Sequence, residues 1–345
     1  MADRRRLRLL TWHVHGSYLW YLSHVPHDIY LPVLPGRVQD YEGRTHSYDW
    51  PSNVIEVPAE EVRDLEVDVI VTQSRRNWEI DRPGICGPRH SHTPRVHIEH
   101  DPPRGSPTDE RHPVDDPDAL VVHVTSYNEL MWDNGGHPTV VIEHGVRVPS
   151  TATATYDRPC GLVVVNNLDR RGRRLGADIF ARVRDQVPLD LIGMNATDVG
   201  GLGELSHSQL QHTCGQYRFM FNPIRYTSLG LSVCEAMMVG LPVVGLATTE
   251  LVSVIDNGVN GFVDTDVRRL LPVMRELVDD PAAAQRMGAA ARRTALRRFG
   301  LLRFVAAWDR VLRGVVQDGA RAVADSCACG HRVEARLTTG RKPGG

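Results

Sequence analysis

Glu235 is the acidic residue whose neighbours most clearly suggest chemistry. It lies one turn inside a helical segment, Leu231–Val239, that follows a loop containing Ser228 and Gly230. The first N–H groups of a helix have no partner within the helix, and together with the helix dipole they suit a diphosphate. A carboxylate one turn further on can accept hydrogen bonds from both hydroxyls of a ribose. A solvated residue favoured by the dipole is the alternative, and the spacing leaves both open.

The chain around Glu235 alternates between strand and helix. A strand over Tyr217–Asn222 precedes the loop, Gly240 ends the helix, and Pro242 prevents it from continuing before the next strand. Glu250 then opens a second helix. Open parallel sheets bind ligands at the C-terminal ends of their strands, so the loops that follow these strands are predicted to meet at one binding edge.

Short apolar runs separated by helical patterns occur in two sets along the chain. The first set comprises Leu7–Trp12, Asp28–Leu34, Asp68–Gln73, Arg95–His100, Ala119–Thr125 and Thr139–Glu143. The second comprises Gly161–Asn166, Leu189–Gly193, Tyr217–Asn222, Pro242–Leu246 and Gly261–Val263. Runs that are continuously apolar are typical of strands buried on both faces of a parallel sheet.

This rhythm predicts an α/β protein with two Rossmann-like domains that face a central cleft. The N-terminal domain is predicted over residues 1–150 and the C-terminal domain over 151–300, joined by a Ser-, Thr- and Pro-rich linker near residues 149–159. Residues 301–320 carry apolar side chains at helical spacing and are predicted to form a helix that crosses back. Residues 321–345 lack such a pattern and are predicted to be a disordered tail.

The segment from Tyr217 to Val263 resembles the donor-binding core of GT-B-fold glycosyltransferases of family 4, also called group 1. That family has a proline-led loop, a glutamate, Gly-Phe-Gly-Leu, a second glutamate followed by Ala-Met, and then Gly-x-Pro-Val-Val. The matching positions here are Pro223, Gly230, Leu231, Glu235, Ala236, Met237, Gly240, Pro242, Val243 and Val244. Glu250 and the run from Asp256 to Val263 fit the next two blocks, and the resemblance covers roughly residues 161–299.

The resemblance implies a retaining enzyme that moves a hexose from a nucleoside diphosphate sugar to a hydroxyl acceptor, without a metal ion or another cofactor. Glu235 would hold the ribose of the donor. The other donor-binding positions implied in this segment are Ser228, Leu229, Gly230, Leu231 and Glu250. The family's first glutamate, which usually touches the hexose, falls on Thr227. Thr227 is neutral and shorter, so the contact with the hexose at this catalytic position is predicted to be altered or water-mediated.

Arginine replaces lysine in the predicted phosphate site. The only lysine of the chain is Lys342. In the resembling family an arginine and a lysine near the start of the second domain clamp the diphosphate. Asn167 stands where that arginine is expected, and arginines cluster over residues 170–174 where the lysine is expected. Arg171 and Arg173 are the favoured phosphate contacts, since guanidinium groups match phosphate geometry, and a solvated basic turn is the alternative.

Three residues of the first half stand where the family has acceptor-side or sugar contacts. His15 and Gly16 follow the first strand, at the position of a glycine loop, and an ordinary turn explains them equally well. His100 ends another strand, where the family often places a catalytic histidine against the hexose, and a structural histidine is the alternative. Glu143 and His144 are predicted to be structural.

Composition narrows the function classes. The net charge of −2 lacks the basic footprint of a nucleic-acid binder. The apolar runs are of strand length and the N-terminus lacks a signal-peptide pattern, which predicts no transmembrane segment and a cytoplasmic location. Peripheral membrane contact stays open. No metal site is predicted, because His97, Glu99 and His100 lie in one strand and cannot all point the same way.

Two other functions fit the same residues. One is a sugar-nucleotide epimerase on this fold, and the other is a sugar-nucleotide-binding protein without catalysis, which Thr227 alone suggests. The sequence leaves the acceptor open among a surface polysaccharide, a glycolipid and a small natural product.

Overall fold

A computed structural model of the protein describes residues 5–327. The chain divides into two compact units. The described parts of Met1–Ile142 and Val305–Gly345 form the first unit, and Glu143–Phe304 forms the second. The stretch predicted as a linker belongs to the second unit, since Tyr156 is buried and its hydroxyl donates a hydrogen bond to the carbonyl oxygen of Gly240, at 2.6 Å. The second unit therefore begins before the predicted boundary at residue 150.

The first unit is built on a seven-stranded parallel sheet. Its strands are β1 (Arg8–Thr11), β2 (Asp28–Val33), β3 (Val54–Pro58), β4 (Val69–Thr72), β5 (Arg95–Glu99), β6 (Leu120–His123) and β7 (Thr139–Val141), in the order β3-β2-β1-β4-β5-β6-β7. All but β3 match a predicted run. The side chains of β4 and β6 are buried throughout, as expected for strands covered on both faces.

Short helices connect these strands. They are α1 (Gly16–Leu22), α2 (Arg82–Ile85) and α3 (Ser126–Met131), with further single turns at Ala59–Asp64, Asn77–Asp81 and Pro88–His90. The Thr125 hydroxyl begins α3 as its N-cap, because it accepts from the backbone N–H of Asn128 at 3.1 Å. Helices α1 and α3 follow the C-terminal ends of β1 and β6, so the polar residues at their starts lie at that edge of the sheet.

The second unit contains a five-stranded parallel sheet. Its strands are β8 (Arg158–Val164), β9 (Leu189–Ile192), β10 (Tyr217–Asn222), β11 (Val243–Leu246) and β12 (Gly261–Asp264), in the order β12-β11-β10-β8-β9. Its helices are α4 (Leu168–Leu175), α5 (Ala177–Arg184), α6 (His207–Cys214), α7 (Leu231–Val239), α8 (Leu251–Val254), α9 (Val267–Asp279) and α10 (Pro281–Arg298), with a turn at Ala196–Val199. The two α/β sheets confirm the predicted fold class.

The C-terminal part of the described chain returns to the first unit. Helix α11 (Leu301–Asp318) begins in the second unit and continues in the first from Val305. Its Trp308 is fully buried and donates a hydrogen bond from Nε1 to the Tyr18 hydroxyl at 3.2 Å. Residues 320–327 are helical and bury Val323, so the predicted disordered tail is wrong for residues 321–327. The remainder of that predicted tail, residues 328–345, lies outside the described residues.

The sequence predicts no transmembrane segment. Within residues 5–327, every helix is too short or too polar to cross a bilayer.

Candidate functional site

The loop between β10 and α7 carries most of the predicted donor-binding residues. Ser228 and Leu229 are buried, and Gly230 adopts an extended conformation as the N-cap of α7. Helix α7 is nine residues long, so its first N–H groups and its dipole define a site for an anion. The structure therefore brings Ser228, Leu229, Gly230 and Leu231 together at the end of a central strand, as predicted.

His144 fixes this loop from a distant part of the sequence. Its Nε2 donates to the carbonyl oxygen of Leu229 at 2.7 Å. Burial lowers the pKa of His144 to about 4, so the ring is neutral at neutral pH with its proton on Nε2. The structural role predicted for His144 is thus a specific one, because it determines where the backbone before α7 lies.

Glu235 is buried, with only 5% of its surface exposed, and is not a solvated helix residue. Its Oε1 accepts from Nε2 of His207 at 2.7 Å. His207 stands in the first turn of α6, which Ser206 and Gln209 begin with a capping box. The burial of Glu235 rules out the solvated alternative, and His207 is a site residue that the sequence analysis did not identify.

The arginine-rich segment is helical and packs against the same loop. Gly172 interrupts α4 with non-helical dihedral angles. The carbonyl oxygen of Arg174 accepts from the backbone N–H groups of Arg225 and Tyr226 at 3.0 and 3.3 Å. A Cβ built on Gly176, where φ is +84°, would lie 2.1 Å from the carbonyl oxygen of Pro223. The basic segment and the loop that contains Thr227 are therefore in direct contact.

Asp178 organises two arginines beside this loop. It pairs with Arg225 at 2.6 Å and with Arg173 at 2.9 Å. The hydrogen bonds from Arg225 lower the pKa of Asp178 to about 2. The side chain of Arg173 is 76% exposed and extends into solvent, so it can contact an added anion. Arg225 is a second residue that the sequence analysis missed.

The double variant Arg171→Ala with Arg173→Ala should weaken binding of a nucleoside diphosphate by about tenfold or more, since hydrogen bonds to charged groups contribute about 1.5–3 kcal/mol each. Binding of the corresponding nucleoside should change little. Calorimetric titration of both ligands measures the difference. Arg182→Ala, an exposed arginine on α5, is the control. Unchanged diphosphate affinity would remove the clamp, and an equal loss for both ligands would indicate a distorted unit.

Glu250 is buried in an ion-pair network. It is the N-cap of α8, which has only four residues, so the predicted second helix N-terminus amounts to a single turn. Its carboxylate accepts a short hydrogen bond from Ser253 and lies 3.6 Å from Arg298. Arg298 also donates from Nε to Glu143 at 3.1 Å. These contacts explain how a carboxylate is held at this edge of the sheet.

In the first unit, two predicted residues meet at a cavity. The ring centroids of His15 and His100 are 4.3 Å apart, and Nε2 of His100 donates to Oε1 of Gln73 at 3.3 Å. His15, Gln73, His100 and Trp132 are among the residues that line a cavity of about 420 Å³. Gly16 begins α1 beside it. A cavity of this size accommodates a small ligand, and Gln73 is a further lining residue that the sequence analysis did not identify.

A buried His–Glu–His cluster stabilises the strand that carries His100. The ligand atoms of His97, Glu99 and His112 lie within 4.8 Å of one another, so His97 and Glu99, two residues apart, do share a face. The backbone N–H of Val114 donates to Nδ1 of His112 at 3.2 Å. In the neutral ring the proton is therefore on Nε2, which donates to Glu99 Oε2 at 3.2 Å. A protonated Nε2 has no lone pair for a metal ion, which favours a hydrogen-bonded cluster here.

Hydrogen bonding determines the charge of this cluster. Burial raises the pKa of Glu99, but the hydrogen bond from His112 and the neighbouring His97, 3.8 Å away, outweigh burial and keep that pKa well below its usual range. The other oxygen of the carboxylate, Oε1, accepts from the backbone N–H of Asp101 at 2.9 Å. The ionised Glu99 thus fixes the chain on both sides of His100.

Both units should lose stability in mild acid. Burial lowers the pKa of His123 in the first unit and of His144 in the second from 6.5 to about 4. Between these values the unfolded chain binds more protons than the folded chain, so the free energy of unfolding falls as the pH falls, by at most about 3 kcal/mol per histidine. Denaturant unfolding at stepped pH measures this loss. In His123→Gln the pH dependence of the first unit should flatten, and an unchanged slope would contradict the assignment.

One part of the second unit matches a known family model. Residues 194–294 match the family model described as "Glycosyl transferases group 1". This region includes His207, Thr227, Glu235 and Glu250. No curated protein sequence matches the chain. The family match supports glycosyl transfer as the reaction class.

Solved structures show the same fold at low sequence identity. Anabaena Alr3699/HepE in complex with UDP is 13% identical, with a TM-score of 0.65 over 90% of this chain and 100% of that one. Sucrose-phosphate synthase from Thermosynechococcus elongatus is 14% identical, with a TM-score of 0.63 over 90% and 99%. A mutant of S. aureus TarM in complex with Fondaparinux, alpha-GlcNAc-glycerol and UDP is 13% identical, with a TM-score of 0.55 over 71% of this chain.

The chain spans about half the length of the TarM structures, 55% and 54% of those chains. At these identities the structural matches establish the fold, and the family model independently matches residues 194–294. This chain therefore has the GT-B fold and matches the group 1 glycosyl transferase model over residues 194–294, which confirms the resemblance predicted from its motifs.

Proposed function

We propose that this chain is a retaining glycosyltransferase that moves a hexose from a nucleoside diphosphate sugar to a hydroxyl group of an acceptor, without a metal ion or another cofactor. The observation that carries the proposal is the buried Glu235, hydrogen-bonded to His207 one turn inside α7, within the region that matches the family model. A buried carboxylate beside a helix N-terminus offers an acceptor for a diol and a site for an anion side by side.

Different residues of the second unit contact different parts of the donor. Glu235 accepts hydrogen bonds from the ribose hydroxyls, and the backbone N–H groups at the start of α7 bind the diphosphate. Negative charge develops on the leaving diphosphate in the transition state, where the helix N-terminus together with Arg171 and Arg173 stabilises it. Thr227 contacts the hexose through a neutral hydroxyl. The charge that builds up during bond cleavage thus meets prearranged donors, which lowers the barrier without a metal ion.

In the first unit, the cavity beside His15 and His100 is proposed to receive the acceptor. His100 is the candidate there for contact with a sugar, and the Glu99 cluster holds it in place. Anabaena Alr3699/HepE has been solved in complex with UDP and glucose and with UDP-glucose, so a uridine diphosphate sugar is the first donor to test. A cytoplasmic location is part of the same proposal, since sugar nucleotides are used there.

The test is a thermal-shift screen of UDP-, GDP- and ADP-sugars, repeated with a chelator. The correct donor at a hundredfold excess over its dissociation constant should stabilise the second unit by about 2.7 kcal/mol, with or without the chelator. Transfer to a glycoside acceptor should give a product with the anomeric configuration of the donor, read by NMR. Loss of binding with the chelator or an inverted product would contradict the proposal. A changed donor sugar without any acceptor would identify an epimerase instead.

A further inference from the structure

Three aromatic side chains form a cluster beside the start of α1, and we refer to Trp20, Tyr48 and Trp50 as the aromatic platform. The rings of Trp20 and Tyr48 are stacked with centroids 6.1 Å apart, and Tyr48 meets Trp50 edge to face at 5.5 Å. All three side chains are half-buried. Aromatic residues contribute large contact areas to interfaces, so a cluster that reaches the surface offers such an area to a ligand.

The polar atoms of the platform are engaged with the protein. The indole N–H of Trp20 donates to the carbonyl oxygen of Asp49 at 3.0 Å, and that of Trp50 donates to Thr45 at 2.9 Å. The hydroxyl of Tyr48 shares a hydrogen bond with Ser17 at 2.8 Å. These bonds fix the ring orientations in advance, which reduces the entropy lost on binding.

A cavity of about 310 Å³ opens on the platform. Its lining residues are Arg44, Thr45, His46, Tyr48 and Trp50. Two aromatic side chains thus lie beside side chains that donate and accept hydrogen bonds. Small-molecule sites combine apolar walls with a few polar groups in this way.

This cavity adjoins the loop assigned above to the acceptor side. A Cβ built on Gly16 would lie 3.0 Å from Cε2 of Tyr48, so the backbone of that loop packs directly on the platform. His13 also connects the two, because its ring lies 5.5 Å from Trp50 and its Nε2 would lie 3.0 Å from a Cβ built on Gly16. The platform is therefore continuous with His15 and Gly16.

We propose that the aromatic platform binds a pyranose ring of the acceptor, and that the acceptor is a saccharide or glycoside longer than one sugar. The C–H face of a pyranose carries slight positive charge and stacks on the negative face of an aromatic ring, while its hydroxyls reach the polar lining. Only the identification of the bound saccharide as the acceptor rests on the proposed function. The saccharide site itself does not. Stacking positions one ring while the reacting hydroxyl belongs to a neighbouring ring.

The test is ligand-observed NMR with maltose, lactose and N,N′-diacetylchitobiose against the full chain. At least one disaccharide should bind, and Trp50→Leu should weaken that binding by roughly two- to tenfold, since stacking on a ring contributes about 0.5–1.5 kcal/mol beyond burial. Trp50→Phe keeps a ring face and should retain most of the affinity. Tyr127→Ala, which removes a half-buried aromatic of α3, is the matched control. Nucleoside diphosphate affinity should be the same in all variants.

Two outcomes would overturn the platform as a saccharide site. One is that none of the disaccharides binds to the unmodified chain, and the other is that Trp50→Leu binds them as the unmodified chain does. Failure of the proposed function is a different result, in which no sugar nucleotide binds or reacts. Saccharide binding that depends on Trp50 would then still support the platform.

Discussion

Glu235→Gln is expected to bind both the donor and the free nucleoside diphosphate at least about tenfold more weakly, because hydrogen bonds to a charged group contribute about 1.5–3 kcal/mol each. Glutamine keeps the shape and still offers an oxygen to His207, so the change removes charge rather than packing. Calorimetric titration with the diphosphate, together with the melting temperature of the variant, measures the effect. An unchanged affinity would mean that Glu235 does not contact the nucleotide.

Thr227→Val is the comparison variant for Glu235→Gln. Valine keeps the shape of threonine and removes the hydroxyl that is proposed to contact the hexose. Nucleoside diphosphate affinity should be preserved, while turnover falls or the preference among donor sugars changes. A loss of diphosphate affinity as large as that of Glu235→Gln would show that the donor lies differently in the second unit.

Gly176→Ala is expected to destabilise the second unit by roughly 2–5 kcal/mol, which combines the cost of a left-handed residue with that of overpacking. The added Cβ would lie 2.1 Å from the carbonyl oxygen of Pro223. Relief of that clash has to displace the loop that leads to Thr227, so diphosphate binding should weaken as well. For a unit of this size each kcal/mol lowers the melting temperature by roughly 2–4 °C, which calorimetry resolves.

Gly258→Ala separates the cost of a left-handed residue from the cost of overpacking. Gly258 also has a positive φ, +78°, but a Cβ built there meets no atom within 4 Å. Its cost should therefore be only the conformational one, about 1–2 kcal/mol, with diphosphate binding unchanged. Equal losses of stability in the two variants would mean that the close approach of Gly176 to Pro223 adds nothing to the cost of Gly176→Ala.

The sequence predicts the elements with strong local signals. Helix α7 begins and ends where predicted, because Gly230 and Gly240 delimit it and Pro242 follows. Helix α10 has comparably strong local signals, because Asp280 precedes it as an N-cap whose carboxylate accepts from the N–H of Ala282, and Pro281 is its first residue. Continuous apolar runs identify the buried strands for a similar reason, since each run is long enough to be distinguished from its surroundings.

Weaker local signals explain what was missed. Strand β3 is an edge strand whose Ile55 is 38% exposed, and Glu56 interrupts its apolar residues, so it lacks a continuous apolar run. The partners of Glu235 and Asp178, His207 and Arg225, come from 28 and 47 residues away along the chain. Such pairs depend on how strands are ordered in the sheet, which the spacing of residues in one sequence does not encode. The burial of Val323 likewise depends on the tertiary structure and not on a local sequence pattern.

The return of Trp308 to the first unit gives the chain a particular order of assembly. The ribosome releases the sheet of the first unit early, then roughly 160 residues of the second unit, and only afterwards the helix that carries Trp308. At about 5–20 residues per second this delay lasts roughly ten to thirty seconds. During that interval the surface around Tyr18 that Trp308 covers is open on the nascent chain, whereas the inserted second unit can already close its core. The first unit, whose sheet is synthesised before the second unit, is thus completed only after the second unit has emerged.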